Sequence, residues 1–378
     1  GETEARRLRD SVRAHLVSDV PVGAFLSGGL AFLVGGIILY AAGVDPLEAY
    51  AIIIKGSLGS SRAIADTLVK TISLLIAGLA VAVAFKCKLW NIGAEGQLYM
   101  GALGGLLVGI AVVGMIPVVS VIIVLIAGIA FGAMFSLVPA ILKVKLGVNE
   151  IIVTVLLNFV ALLFISYLLH GPIKAPGFLP YSPDIFPESE LPILVDRTRL
   201  HAGLLVAAMA AIFVHFLWKS KVGFELKSVG MNISAARYAG MNITKSILIT
   251  MAISGGLAGL TGAVLLSGVQ HRLIEGISPG YGFIAVIIAL LGRENALGVC
   301  LVAFFFAVLL QGSEVMYRTL GIPVAFAQTL QALVLVFVLI GEVFTRIHLP
   351  RRIKRVDEDI LKNAGKQIGA PAERGKLE

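Results

Sequence analysis

Asn91-Ile92-Gly93-Ala94-Glu95-Gly96-Gln97 stands at the junction of two long apolar runs, one near 66–85 and one near 96–114. A carboxylate and two amides at the edge of a hydrocarbon layer are costly to keep there. The glycines between them let backbones approach closely and let a helix break. The heptad therefore reads as an interrupted or tightly packed membrane segment, of the kind that lines a path for something polar. A turn between two spans on the cytoplasmic side is the competing reading.

Outward from this heptad the chain is apolar nearly throughout. Hydrophobic residues make up 58% of its 378 residues, charged residues 14%, and the mean hydropathy is +0.94. Soluble domains carry about 25% charged residues, so the composition places this chain in a bilayer. The runs are helical in length, and no alternating ten-residue pattern of a membrane β-barrel occurs. An all-α polytopic membrane protein is expected, with about ten spans near 22–42, 66–85, 96–114, 116–142, 149–170, 202–218, 245–269, 281–292, 297–312 and 323–345. The eighth and ninth are short for a bilayer and should be tilted or partly broken. No cleavable signal peptide is visible, so the first span should be retained.

Charge orients the map. With a cytoplasmic N-terminus, the inner segments (1–21, the short inner loops, 219–245 and 346–378) hold 23 Lys and Arg. The outer segments hold seven, and Lys70 remains inside a span. That asymmetry has the sign the positive-inside rule requires, and an even number of spans puts both termini in the cytoplasm. The net charge of +8 then belongs to loops facing an anionic leaflet, and no nucleic acid partner is expected. Cys87 and Cys300 suggest neither a disulfide nor a metal site. The chain reads as an N-terminal segment 1–21, a membrane domain 22–345 and a charged tail 346–378.

Two excursions leave the membrane. Residues 171–201 carry six prolines and four acids, Asp184, Glu188, Glu190 and Asp196, and form an outer loop ordered by packing. Residues 219–245 are cytoplasmic and basic. Within them Asn232 is a good N-cap and Gly240 can take the left-handed conformation that stops a helix, so about two turns lie between. So short a helix is unstable alone in water, which points to a partner that supplies a cleft, with Ala235 and Ala236 allowing close approach and Arg237 and Tyr238 as anchors. Spans two to five and seven to ten would enter from opposite sides, as in an inverted repeat.

Inside the spans, polar candidates are Asn91, Glu95, Gln97, Asn149, Glu150, Thr154 and Asn158. Glu150, Thr154 and Asn158 recur at spacings of four and share one helix face. Either they line a route for solute or they bond helices to one another. Gly101, Gly105 and Gly109, with Gly255 and Gly259, form small-residue seams for close helix crossing. No phosphate loop of the form G-x-x-x-x-G-K-[ST] occurs, so this chain binds no ATP in that way and is expected to hold no cofactor. No H-E-x-x-H or G-x-S-x-G motif suggests an enzyme.

The strings Leu89-Trp90-Asn91-Ile92-Gly93-Ala94-Glu95-Gly96-Gln97, Gly147-Val148-Asn149-Glu150-Ile151-Ile152-Val153-Thr154 and Ala235-Ala236-Arg237-Tyr238-Ala239-Gly240-Met241 resemble the permease subunits of bacterial ABC importers. Ser278-Pro279-Gly280-Tyr281-Gly282-Phe283 and Ala289-Leu290-Leu291-Gly292-Arg293 extend the likeness over roughly 45–345. The group is that of branched-chain amino acid and simple-sugar permeases, and within it the chain is most like the larger permease of nucleoside importers. The resemblance implies a second permease subunit, a cytoplasmic ABC ATPase that holds the ATP, and an external solute-binding lipoprotein, all at a bacterial plasma membrane. It makes Asn232 to Gly240 the coupling helix, with Glu225 and Gly230 in its approach. Group members often show Asn-Pro-Glu where this chain has Asn232-Ile233-Ser234, a modest weakening of the helix start. Nucleosides or related purine-type solutes are the expected cargo, with branched-chain amino acids or simple sugars second. An ion-coupled secondary carrier would use Glu95 and Glu150 but would leave the short cytoplasmic helix without a task.

Overall fold

The computed structural model describes residues 29–323, 325–326, 328–337 and 340. These fall into two units, Glu48–Val324 and a second formed by residues up to Leu47 with those from Ala325 onward. The second unit contributes α1 (Gly29–Ala41) and α13 (Gln328–Phe337). Expectations for 1–28 and 341–378 lie outside the described residues.

The larger unit runs α2 (Pro46–Leu58, from its third residue), α3 (Ser61–Lys86), α4 (Ala94–Gly109), α5 (Pro117–Leu146), α6 (Glu150–His170), α7 (Gly203–Leu217), α8 (Lys221–Met231), α9 (Ile233–Tyr238), α10 (Ile243–Leu265), α11 (Tyr281–Leu291) and α12 (Ala296–Leu320). The local sequence sets these boundaries. Ser60, Asn149, Ser220, Asn232 and Asn242 each accept a backbone N–H of the following first turn. Gly147, at φ +67°, closes α5.

The protein is an all-α polytopic membrane protein. Among the described residues five helices (α3, α5, α6, α10 with its extension to Gln270, and α12) are long and apolar enough to cross a bilayer, or up to seven if each bent helix pair is one span. Helices α4 and α7, at 16 and 15 residues, fall short of the roughly 20 needed. The expected short eighth span is α11, of 11 residues, but the ninth is not short: α12 runs 25 residues, because Gln311, Ser313 and Glu314 continue the helix beyond the purely apolar stretch. Helix α2 was not anticipated. Its apolar face packs on α12, where a Cβ on Gly312 would meet the Ile53 carbonyl oxygen at 2.5 Å.

Helices α3 and α10 are the core, with 83% and 78% of their most apolar windows buried; the same figure is 28% for α5 and 22% for α6. Helix α10 packs on α4 and α5, while α3 packs on α11 and α12, and the two long helices also pack on each other. Each block therefore wraps its short and long helices around the other block's central one. The order is also repeated: a long buried helix, a break holding a non-glycine residue at positive φ (Lys88 at +57°, His271 at +58°), a short helix, then a long one.

Glycine makes the packing possible. A Cβ on Gly132 would meet Gly259 Cα at 2.6 Å, one on Gly128 would meet the Ala263 Cβ at 2.5 Å, and one on Gly101 would overlap the Gly259 backbone. The expected seams on α4 and α10 are thus joined by a third on α5, so three backbones touch without side chains between them.

Candidate functional site

The heptad forms a closed polar knot inside the bundle. After α3 ends, residues 87–93 turn back into it and α4 starts at Ala94. Asn91, wholly buried, donates from Nδ2 to Gln97 Oε1 (2.9 Å) and to Ser254 Oγ on α10 (2.8 Å). Its Oδ1 accepts from Gln97 Nε2 (2.9 Å) and from the Gly93 N–H (3.1 Å). Ser254 in turn donates to the Ala80 carbonyl of α3 at 2.7 Å. One asparagine thereby ties the re-entering loop to three helices.

Helix α6 holds the other side. Asn158 Oδ1 accepts from the Gly96 N–H (2.8 Å) and its Nδ2 donates to the Ile92 carbonyl (2.9 Å). Thr154 Oγ donates to its own helix at the Glu150 carbonyl (2.7 Å) and receives the Ile92 N–H at 3.4 Å. Gly96 is glycine for a reason of space, since its Cβ would stand 3.0 Å from the Asn158 Cα. Thr154 and Asn158 share a buried face as their spacing predicts, and that face meets backbone groups that would otherwise be unsatisfied.

Glu95 points away from the knot to the start of α11. Its Oε2 accepts from the Gly282 N–H at 2.6 Å, and the Ser278 hydroxyl and Gly280 amide also face it. The carboxyl group caps the exposed donors of a helix start, where the macrodipole favours it. Ser278 Oγ accepts from the Tyr281 N–H at 3.0 Å. The starts of α4 and α11 abut so tightly that a Cβ on Gly282 would lie 2.5 Å from the Glu95 Cα. Ser254, Ser278 and Gly282 were not among the sequence candidates; a hydroxyl in an apolar run carries no period that marks it.

Asn149 and Glu150 sit apart from the knot. Asn149 is exposed and caps α6, its Oδ1 accepting from the Ile151 N–H at 2.9 Å. Glu150 receives Lys143 Nζ at 2.6 Å, an ion pair that fastens α6 to the end of α5.

The excursion 219–242 is two helices hinged at one residue. Asn232 ends α8 and begins α9, its Oδ1 accepting from the Ala235 N–H at 3.0 Å. Gly240, at φ +78°, closes the turn, and its N–H reaches the Arg237 carbonyl at 3.0 Å. Within α9 only Ala236 is buried; Arg237 is exposed and Tyr238 is 94% exposed. Glu225 lies half-buried on α8. Gly230 presses on the turn that ends α3: its Cβ would meet the Cys87 carbonyl carbon at 2.6 Å. Lys86 and Lys227 both stand over the Trp218 ring at 5.3 Å. A cavity of about 80 Å³ lies between, bordered by Cys87, Lys143, Val229, Gly230 and Thr250. Burial there pushes the Cys87 thiol up to about 11, so it stays protonated and unreactive.

The loop 171–202 is bound to the chain itself. Ile185 and Leu191 donate backbone N–H groups to the His271 and Ser267 carbonyls at 2.8 Å, and Asp184 pairs with Arg272 at 2.9 Å. These carbonyls are freed by the π-helical turn Leu266–Gln270 that extends α10. Among the described residues no group of three or more His, Cys, Asp or Glu side chains is placed to hold a metal.

Residues 63–339 match the family described as the branched-chain amino acid transport system permease component. The chain belongs to that permease family. A short match of residues 4–31 to the asparagine synthase family touches too little of the chain to show anything. The permease is 39% identical to a glucose ABC transporter permease (TsgB13) of Haloferax volcanii over 351 residues, 89% of this chain and 91% of that one. It is 34% identical to a guanosine ABC transporter permease (NupP) of Bacillus subtilis, with 86% and 93% covered. A nucleoside ABC transporter permease (NupB) of Lactococcus lactis is 31% identical, with 84% and 90% covered. No solved structure matches. The permease is a multi-pass transport subunit of an ABC importer rather than an enzyme.

Proposed function

We propose that this permease imports nucleosides by alternating access, driven by a cytoplasmic ATPase that binds α9. The carrying observation is that two of the three relatives above, at 31% and 34% identity over most of the chain, are nucleoside or guanosine permeases. The glucose permease at 39% identity supports a second reading, a simple sugar, and the two solutes share a hydroxyl-rich, uncharged ring. The distribution of Lys and Arg supports cytoplasmic termini, with α9 inside and 171–202 outside. The second permease completes the path, and the binding lipoprotein delivers solute to the outer loops.

In this reading ATP-driven closure of the ATPases moves α9, and the push passes through Gly230 to the Cys87 turn and on to the knot. Asn91, Gln97, Thr154 and Asn158 act as a latch: they hold the start of α4 against α6 and α10 and meet solute when these part. Glu95 is the contact across the seam between α4 and α11. Asn149 and Glu150 border the inner opening. Glu225, Gly230 and Asn232 orient the coupling helix, Ala235 and Ala236 allow close docking, Arg237 and Tyr238 anchor it, and Gly240 stops it. ATP stays on the partner.

The test is ATP-dependent uptake of labelled guanosine, adenosine, glucose and leucine by proteoliposomes holding the permease, its partner permease, the ATPase and the binding protein. Nucleoside uptake that disappears in Arg237→Glu supports the proposal. Uptake of glucose alone moves the solute to the second reading. Transport under an ion gradient without ATP overturns the proposal.

A further inference from the structure

Lys70 and Glu314 form an ion pair that the latch does not use. Lys70 Nζ donates to Glu314 Oε1 at 2.6 Å, joining α3 to α12. Lys70 is the tenth residue of α3 and Glu314 lies six residues before the end of α12. At 1.5 Å per residue these positions are about 14 Å and about 9 Å from their helix ends, within two helices long and apolar enough to cross a hydrocarbon layer about 30 Å thick. The side chains are nevertheless 16% and 38% exposed.

A charge turned toward lipid at such depth is unfavourable, so intramembrane ionisable groups face water or protein. The surroundings agree. Gln311 lies one turn from Glu314 and Asp66 one turn from Lys70, each on the same face as the pair. Tyr281, at the first turn of α11, is within electrostatic reach of both Glu314 and Glu95. Deeper along α3 every residue from Thr71 to Phe85 is buried, so the partly exposed stretch of the helix ends at the ion pair. The pair therefore stands where the polar groups of α3 and α12 are last accessible.

We propose that Lys70 and Glu314 form a binding wall of the solute path at its outer narrowing and engage the hydroxyls of an uncharged, polyhydroxylated ring. The ammonium donates and the carboxylate accepts, so a vicinal diol can bridge the two. The charge on each partner makes these hydrogen bonds stronger than those between neutral groups. This rests on the importer reading above.

The test uses the full transporter in proteoliposomes with Cys87 and Cys300 replaced by alanine. Asp66→Cys is labelled from outside with a membrane-impermeant thiol reagent, with Leu163→Cys on α6, seven residues before the end of that helix at the outer loop, as the lipid-facing control (Leu163 is 71% exposed). Asp66→Cys should react faster than the control and be slowed by saturating guanosine or glucose. In the uptake arm, rates are compared for guanosine and 2′,3′-dideoxyguanosine, or for glucose and 2-deoxyglucose. Lys70→Met and Glu314→Gln should shrink that preference about five- to tenfold, the worth of one or two hydrogen bonds. A pair that only supports the fold lowers all rates alike. Should the neutral variants fail to fold, the labelling of Asp66→Cys and its slowing by solute decide the inference. An unreactive Asp66→Cys, meaning that lipid or the second permease covers this face, overturns the inference, as does an unchanged preference in folded neutral variants. Failure of the importer reading would show separately, as wild-type liposomes without ATP-dependent uptake, while the labelling contrast would still be readable.

Discussion

The knot around Asn91 and the helix from Asn232 to Gly240 are both polar motifs in an apolar chain, and they are satisfied in opposite ways. In the knot nearly every donor and acceptor has a partner within the chain, on α3, α6 or α10. In α9 the cap and the stop are satisfied locally, while Arg237 and Tyr238 project into open space. A polar motif that closes on itself specifies the fold, and one left open specifies a partner. Mutations should separate the two: damage to the first reads out as lost protein, damage to the second as lost transport.

The largest effect is expected at the seam. Gly282→Val forces a side chain into the Glu95 backbone and should cost upwards of about 3 kcal/mol, beyond ordinary overpacking, because backbone cannot move aside as a rotamer does. Thermal unfolding in detergent should show little or no folded permease; a normal melting temperature would break the view of the seam as rigid. Next comes Asn158→Leu, which strands the Gly96 N–H and the Ile92 carbonyl and should cost about 2–6 kcal/mol at roughly 1–3 per unpaired group. Thr154→Val, whose link to Ile92 is long, should cost less than about 1 kcal/mol by the same melting curves.

Arg237→Glu should leave the melting temperature within error and abolish ATP-coupled uptake. A large loss of stability there would mean that α9 belongs to the fold after all. Asn232→Ala is intermediate, removing a cap worth about 1 kcal/mol. It should reduce uptake in part, with the deficit growing on warming as the short helix frays.

The last effect, absent at neutral pH, concerns a third polar place, buried like the knot but titratable. His201 in the long loop is 1% exposed, its Nδ1 accepting from the Gly203 N–H, and burial next to His271 lowers its pKa to about 4. The unfolded chain takes up this proton near pH 6.5 and the folded chain only near pH 4. Stability should therefore be complete above pH 6.5 and fall as pH drops through that window, by at most about 3 kcal/mol. The slope of melting temperature against pH between 6.5 and 4 should flatten in His201→Gln; an unaltered slope would assign it to other groups.

Much of this was legible in the chain. The apolar runs give the all-α membrane class because no other structure satisfies so many backbone groups in lipid. Asn232 and Gly240 mark the ends of α9 because capping is local chemistry, complete within four residues. The glycine seams on α4 and α10 follow from the spacing alone. The function of the heptad did not. Whether Asn91, Gln97, Thr154 and Asn158 face a path or one another depends on Ser254 and on main-chain groups of Ile92, Gly96 and Ala80, contacts that cross up to 174 residues. Helix α2 escaped notice because Pro46-Leu47-Glu48 opens a helix only marginally amphipathic, stabilised by its fit to Gly312.

Short-range features follow from the chain alone: helix starts and stops, span-length apolar runs, the asymmetry of charge, and the small residues that permit close crossing. The tertiary structure decided how the blocks exchange their central helices, that Glu95 meets Gly282 across the seam, and that Lys70 finds Glu314 some 244 residues away. Hydrogen bonds and ion pairs in an apolar medium act only at contact, and a linear pattern holds no record of which distant groups come into contact until the helices have packed.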